Sequence, residues 1–159
     1  MSRKFSLVPV KGAEWSDEQM RVVNEGMDAT SDSVVPLDLQ FDQWLVLDGD
    51  RPIGLVSTAW VDYGVVEFGV RLWEQRMSSF RVLIDSLHDL FTAYEKVVAR
   101  CYASNQKVRR LMQRAGFMLF NTYKQDGRDV HMYVLFRDVF MNLFPPEVTE
   151  VGAEGVDGR

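Results

Sequence analysis

The strongest constraint in this chain lies in residues 97–136, VVARCYASNQKVRRLMQRAGFMLFNTYKQDGRDVHMYVLF, where the apolar period changes twice. Val97 and Val98 open a short β-branched run that stops at Ala103-Ser104-Asn105. Val108, Leu111, Met112 and Ala115 then recur at spacings of three and four, the pattern of one apolar helix face. Gly116 ends that helix, because glycine enters the left-handed cap conformation at little cost. Two alternating segments follow, joined at Asp126-Gly127, a dipeptide suited to the φ > 0 positions of a tight hairpin. Strand, helix and hairpin in that order leave few folds to choose from.

Upstream, Phe5 to Val10 reads as a strand with Phe5 and Leu7 on one side. Ser16 caps a helix that has Asp17 and Glu18 in its first turn and Met20, Val23 and Met27 along one face. Residues 30–40 read as a loop. Three strands are predicted next, at 41–47, 53–61 and 65–72, separated by the turn-rich Asp48-Gly49-Asp50-Arg51-Pro52 and by Asp62-Tyr63-Gly64. Connections that short make them antiparallel neighbours. Ser78 or Ser79 caps a second helix whose stripe, running from Phe80 through Leu83, Leu87 and Phe91 to Tyr94, is wide enough to cover a sheet. It feeds the strand at Val97, which places a β-α-β crossover mid-chain. After the hairpin, Phe136, Val139, Phe140, Leu143 and Phe144 share one side of a short helix, suited either to capping the core or to docking in a partner's groove. Residues 145–159 carry Glu147, Glu150, Glu154 and Asp157 with several glycines and no aromatic, the composition of a flexible acidic tail. The expected organisation is one domain, 1–144, followed by that tail.

Composition narrows the function. A formal charge of −5 argues against nucleic acid, which needs clustered Lys and Arg. No apolar run approaches the ~20 residues that span a bilayer. Cys101 is the single cysteine, so no intrachain disulfide can form and a reducing compartment is favoured. Pro9 and Lys11 interrupt the N-terminal apolar stretch too early for a signal peptide. A cytoplasmic protein that engages neither nucleic acid nor membrane is expected. The chain has no metal-spaced His/Cys set, no Walker loop and no G-x-S-x-G elbow.

An Asn-led helix closed by Gly-Phe resembles the C-terminal half of the GNAT (acyl-CoA N-acyltransferase) fold, where N-x-x-[A/S]-x-x-L-Y-x-x-x-G-F follows the fifth strand. Asn105, Leu111, Gly116 and Phe117 match, Val108 replaces the small residue, and Met112 stands at the tyrosine. The resemblance implies an α/β (α+β) fold: a mixed, mostly antiparallel sheet of about seven strands with helices on both faces, the fourth and fifth strands parallel and splayed. It also implies an acetyl-CoA site. The family's pyrophosphate cradle, a [Q/R]-x-x-G-x-[G/A] turn at a helix N-terminus, falls on Gln75, Arg76, Met77, Ser78, Ser79 and Phe80. Gln75 keeps its place, Ser78 stands for the first glycine, and Phe80 for the second small residue, where it either crowds the pyrophosphate or turns into the core. Arg71, Arg76 and Arg81 lie close to that turn, where arginines replace some of the lost amide contacts by charge or stand as solvated surface. Phe68 and Val70 on the fourth strand, with Asn105 and Met112, complete the implied cofactor-binding set. Glu67 is the candidate general base, with Asp62 as second choice. His131 is a third, alternating with Val130 and Met132 so as to point away from the expected core. The family's proton-donating tyrosine falls on Met112, a thioether with no proton to give; Tyr102 and Tyr123 are nearby in sequence without sitting at the matched position, and a water is the alternative donor.

Residues 105–135 are also similar to the C-terminal part of small GNAT-like proteins encoded among the virion genes of T7-like phages, through Tyr123, Asp126 and Gly127. That likeness implies a protein of a bacterial host's cytoplasm or of the virion. It would have a degenerate acetyl-CoA site and no cofactor, and would act through protein contacts in morphogenesis by its 136–144 helix or acidic tail. Two readings follow. One is a pseudoenzyme with Phe80 and Met112 filling the cleft. The other is an active N-acetyltransferase, moving acetyl from acetyl-CoA to an amine across an open split between the fourth and fifth strands.

Overall fold

The computed structural model, which describes residues 5–35, 41–74 and 79–146, joins seven strands into one sheet with helices on both faces. The chain runs β1 (Phe5–Pro9), α1 (Asp17–Ala29), a 3₁₀ turn (Ser31–Ser33), β2 (Asp42–Asp48), β3 (Arg51–Asp62) and β4 (Val65–Leu72). It continues with α2 (Ser79–Leu90), β5 (Lys96–Tyr102), α3 (Gln106–Ala115), β6 (Met118–Gln125), β7 (Arg128–Phe136) and α4 (Arg137–Leu143). The strand order is β1-β2-β3-β4-β5-β7-β6, and every pair is antiparallel except β4–β5. This is the mixed, mostly antiparallel sheet that the sequence implied. Residues 147–159, which hold the acidic residues of the expected tail, lie outside the described residues.

Alternation along each strand divides the core in two. Val66, Phe68 and Val70 of β4 and Val97, Ala99 and Cys101 of β5 face α2, α3 and α4, where they meet Leu83, Leu87, Met112 and Phe140. On the other face, Leu45, Leu47 and Leu55 pack against Val23 and Met27 of α1. A reciprocal capping box fixes the start of α1: Gln19 N–H donates to Ser16 Oγ, and the Ser16 N–H donates to Gln19 Oε1. Gly26 sets the depth of that helix, since a Cβ there would lie 2.1 Å from the Trp73 ring.

Some boundaries differ from the sequence reading. The predicted connector at 48–52 is a tight turn at Gly49-Asp50, and β3 already starts at Arg51. Pro52 is tolerated there because the β2–β3 register slips between Val46 and Leu47. Helix α2 ends at Leu90, short of Tyr94: Thr92 and Ala93 donate to the carbonyls of Asp89 and Leu90, i→i−3 bonds that tighten the chain before β5. Within the loop expected at 30–40, Ser31–Ser33 forms the 3₁₀ turn, and 36–40 lie outside the described residues. His131 does not point away from the core. It shares a face with Tyr133 and Leu135, both buried, and its ring lies 6.2 Å from that of Tyr133.

Helix α4 caps the core through one side chain. Phe140 is fully buried, with ring centroids 4.7 Å from His88, 5.2 Å from Phe91 and 5.5 Å from Phe144. Phe140→Ala is therefore expected to cost about 3–5 kcal/mol in urea denaturation. A loss below about 1 kcal/mol would show that α4 is dispensable to the fold.

Candidate functional site

The sheet is interrupted at one place. Parallel pairing of β4 with β5 covers Val65–Lys96, Val66–Val97 and Glu67–Val98 and stops there, although both strands run on for several residues. Past the fork, every second residue of β4 turns its N–H and C=O toward a side that β5 has left. The gap is a cleft of about 450 Å³ that passes through the sheet. On the α2–α3 face Leu83, Val108, Leu111 and Met112 line it; on the α1 face its wall includes Thr30, Gln43, Ser57 and Arg71.

Glu67 sits at the fork with 3% exposure and lines the cleft. Arg100, two residues past the last paired residue of β5, reaches back so that its Nη2 donates to Glu67 Oε1 at 2.8 Å. Its Nη1 donates to the Tyr123 hydroxyl at 3.1 Å, and its Nε is buried without a partner. Burial works against the Arg100 charge, but the bonds to Glu67 and Tyr123 outweigh it and raise the pKa above its ordinary value. Tyr123 packs against Val35, Tyr102 and Val130 and does not line the cleft, so it bears on Glu67 through Arg100.

The remaining candidates divide. Phe68, Val70, Asn105 and Met112 all line the cleft. Asn105 also caps α3, its Oδ1 accepting from Val108 N–H at 3.3 Å, and Gly116 closes that helix at φ 102°. Phe80 does not crowd the cleft: it stacks under the Arg114 guanidinium at 3.9 Å and meets Phe144 at 5.9 Å, in a groove between α2 and α4. The implied filling of the cleft by Phe80 is thus corrected. Gln75, Arg76, Met77 and Ser78 lie outside the described residues, and Ser79 opens α2. Asp62 is exposed at the β3–β4 turn, where it accepts from Tyr63 N–H, and neither it nor His131 lines the cleft. Among the described residues no group of three or more His, Cys, Asp or Glu could hold a metal. No helix among them is long and apolar enough to cross a membrane.

Sequence reading missed one site residue, Arg100, and placed another, Arg71, only as a cation near the 75–80 turn. Arg71 Nε donates to Thr30 Oγ1 at 3.0 Å and its Nη2 to the Met27 carbonyl at 2.8 Å, which brings a cation to the C-terminus of α1, a helix with no basic residue in its own last turn. A signal was present, since Glu67, Gly69 and Arg71 alternate with Phe68, Val70 and Leu72.

Two expectations follow. Removing one partner of a buried ion pair strands the other charge, so Arg100→Met is expected to cost about 3–5 kcal/mol, and adding Glu67→Gln to recover part of it. A double mutant no more stable than Arg100→Met would mean that the pair is uncoupled. Burial pushes the Cys101 thiol up to about 11, with only partial relief from Arg109. The thiol is thus protonated at pH 8, and a thiolate-seeking reagent should leave the native protein unlabelled but react fully in urea.

No family model and no curated protein matches the chain. Solved structures do. A GCN5-related N-acetyltransferase from Brucella melitensis superposes with a TM-score of 0.69 at 16% identity, covering 96% of this chain and 88% of that one. Mutant forms of the spermidine/spermine N-acetyltransferase SpeG from Vibrio cholerae give 0.66 at 14% identity, over 87% and 96% of the two chains. The N-acetyltransferase PseH from Campylobacter jejuni, in complex with acetyl coenzyme A, gives 0.63 at 12% identity, over 84% and 99%. The chain has the fold of the GNAT acetyltransferases.

Proposed function

We propose that this chain binds an acyl-CoA, acetyl-CoA being the simplest, in the split between β4 and β5 and passes the acyl group to an amine. The observation that carries the reading is the parting of the two parallel strands past Glu67 and Val98, with an open cleft beyond it. A slot through a sheet admits a thin pantetheine arm from one face and an acceptor from the other. The residues present fit such an arm: β4 offers unpaired backbone groups beyond Phe68, and Asn105 and Lys107 line the cleft at the first turn of α3. Residues 75–78 would cradle the pyrophosphate before α2. Bound there, acetyl-CoA supplies an activated acyl carbon and a thiol leaving group.

Glu67 draws the proton from the incoming ammonium, directly or through one water, while Arg100 and Tyr123 fix its position. Met112 donates nothing, so the departing sulfur takes its proton from water. A second reading, a decayed site acting through protein contacts in phage virion morphogenesis, draws on Met112 at the tyrosine position and on the exposed Val139 and Leu143 of α4.

Calorimetry separates the two. Acetyl-CoA is expected to bind at one site and, at a hundredfold excess over Kd, to add about 2.7 kcal/mol of stability. Asn105→Ala should weaken that binding and, through the lost cap, lower stability by about 1 kcal/mol. Absence of heat and of any thermal shift at millimolar acetyl-CoA would remove the acyltransferase reading and leave the second.

A further inference from the structure

Among the described residues four charged side chains line the cleft, the carboxylate Glu67 and the cations Arg71, Arg100 and Lys107, in a chain whose net charge is −5. Arg100 neutralises Glu67. Arg71 has no such counterpart: its bonds go to a hydroxyl and a carbonyl, and no carboxylate among the described residues pairs with it. Burial lowers its pKa. One Nη of Arg71 thus has no partner among the described residues.

Glu67, Gly69 and Arg71 are alternate residues on one face of β4. A strand rises about 3.3 Å per residue, so the carboxylate and the guanidinium are rooted about 7 Å to either side of Gly69. Among the described residues, a Cβ built on Gly69 would meet only Ser57 Cβ, at 3.9 Å. Among those residues this end of the cleft is therefore an open floor, with the Arg100-held carboxylate at one side and a cation that no described carboxylate neutralises at the other.

We propose that the acceptor amine also carries a carboxylate: an amino-acid-like molecule laid over Gly69, nitrogen toward Glu67 and carboxylate toward Arg71. This rests on the acyltransferase reading of the cleft and names its substrate class. The reaction is aminolysis. The ammonium gives one proton to Glu67, its nitrogen bonds to the acyl carbon, the carbon–sulfur bond breaks, and the nitrogen's second proton passes through water to the departing sulfur. A polycationic acceptor fits poorly, because it would set like charge against Arg71.

The test is turnover by the full chain with acetyl-CoA, read as thiol release, on three probes: the pooled protein amino acids, the same pool as C-terminal amides, and spermidine. Acetyl-CoA binding is measured on the same sample by calorimetry. The acids are expected to react at least about tenfold faster than the amides or spermidine. Gly69→Val, which adds bulk to the floor of an otherwise compatible strand, is expected to raise KM for the acids while the protein melts as its parent does. Arg71→Gln should erase the preference and Arg71→Lys restore part of it; because Arg71 also holds α1, the acid-to-amide ratio of the unaltered protein is the deciding measurement. Amides or spermidine reacting as fast as the acids, or no turnover of any probe with acetyl-CoA bound, would overturn the inference and leave the cofactor site standing. Failure to bind acetyl-CoA would instead strike the acyltransferase reading, and the inference with it.

Discussion

The Glu67–Arg100 pair stands where the backbone ladder between β4 and β5 gives out. Taking two charges out of water costs more than their attraction returns unless further bonds help, and an apolar pair of equal volume would hold the strands at least as well. Stability is therefore a weak reason for charges at this fork. A carboxylate fixed in one orientation on the wall of a cleft is a better one. The guanidinium commits one Nη to Glu67 and the other to Tyr123, which ties the central pair of strands to β6 at the far edge of the sheet.

Residues that line the cleft also set the helices around it. Asn105 caps α3, and Arg71 holds the last turn of α1 through Met27 and Thr30. Each does a job the fold needs with or without a ligand. Such double use means that loss of a cleft residue is felt in the scaffold too, and a fall in activity alone does not assign a role. Gly69 is the exception, because beyond its place in the β3–β4 ladder it contributes no side chain to the cleft wall.

How much of this was legible depends on the distance over which each feature is decided. The α3 motif and the hairpin were readable because their determinants are local: Asn105 and Gly116 bracket one helix, and Asp126 and Gly127 take φ of 50° and 77° in one turn. Glu67 was found, but its partner was not, since nothing in the sequence brings Arg100 back across the fork. Arg71 was noted only as a cation near the 75–80 turn, because an arginine near a strand end reads as surface until α1 is seen to lie over it. Phe80 was left between crowding a pyrophosphate and turning into the core, the outcome observed, for a similar reason. Its direction is set by Arg114 and Phe144, which are distant in sequence.

Met112 then takes on a different meaning. An alkoxide leaving group would need a proton donor, but a thiol ionises near pH 8.5 and its anion departs with little help. What the reaction lacks without catalysis is encounter geometry, and holding two reactants in line can supply about 7–11 kcal/mol of the barrier. The side chains around this split are suited to that task. Glu67 is pinned by Arg100, and among the described residues the floor at Gly69 is open and one Nη of Arg71 has no partner. A site built for position can forgo the tyrosine. It cannot forgo the fork, because both reactants would meet where the two strands part.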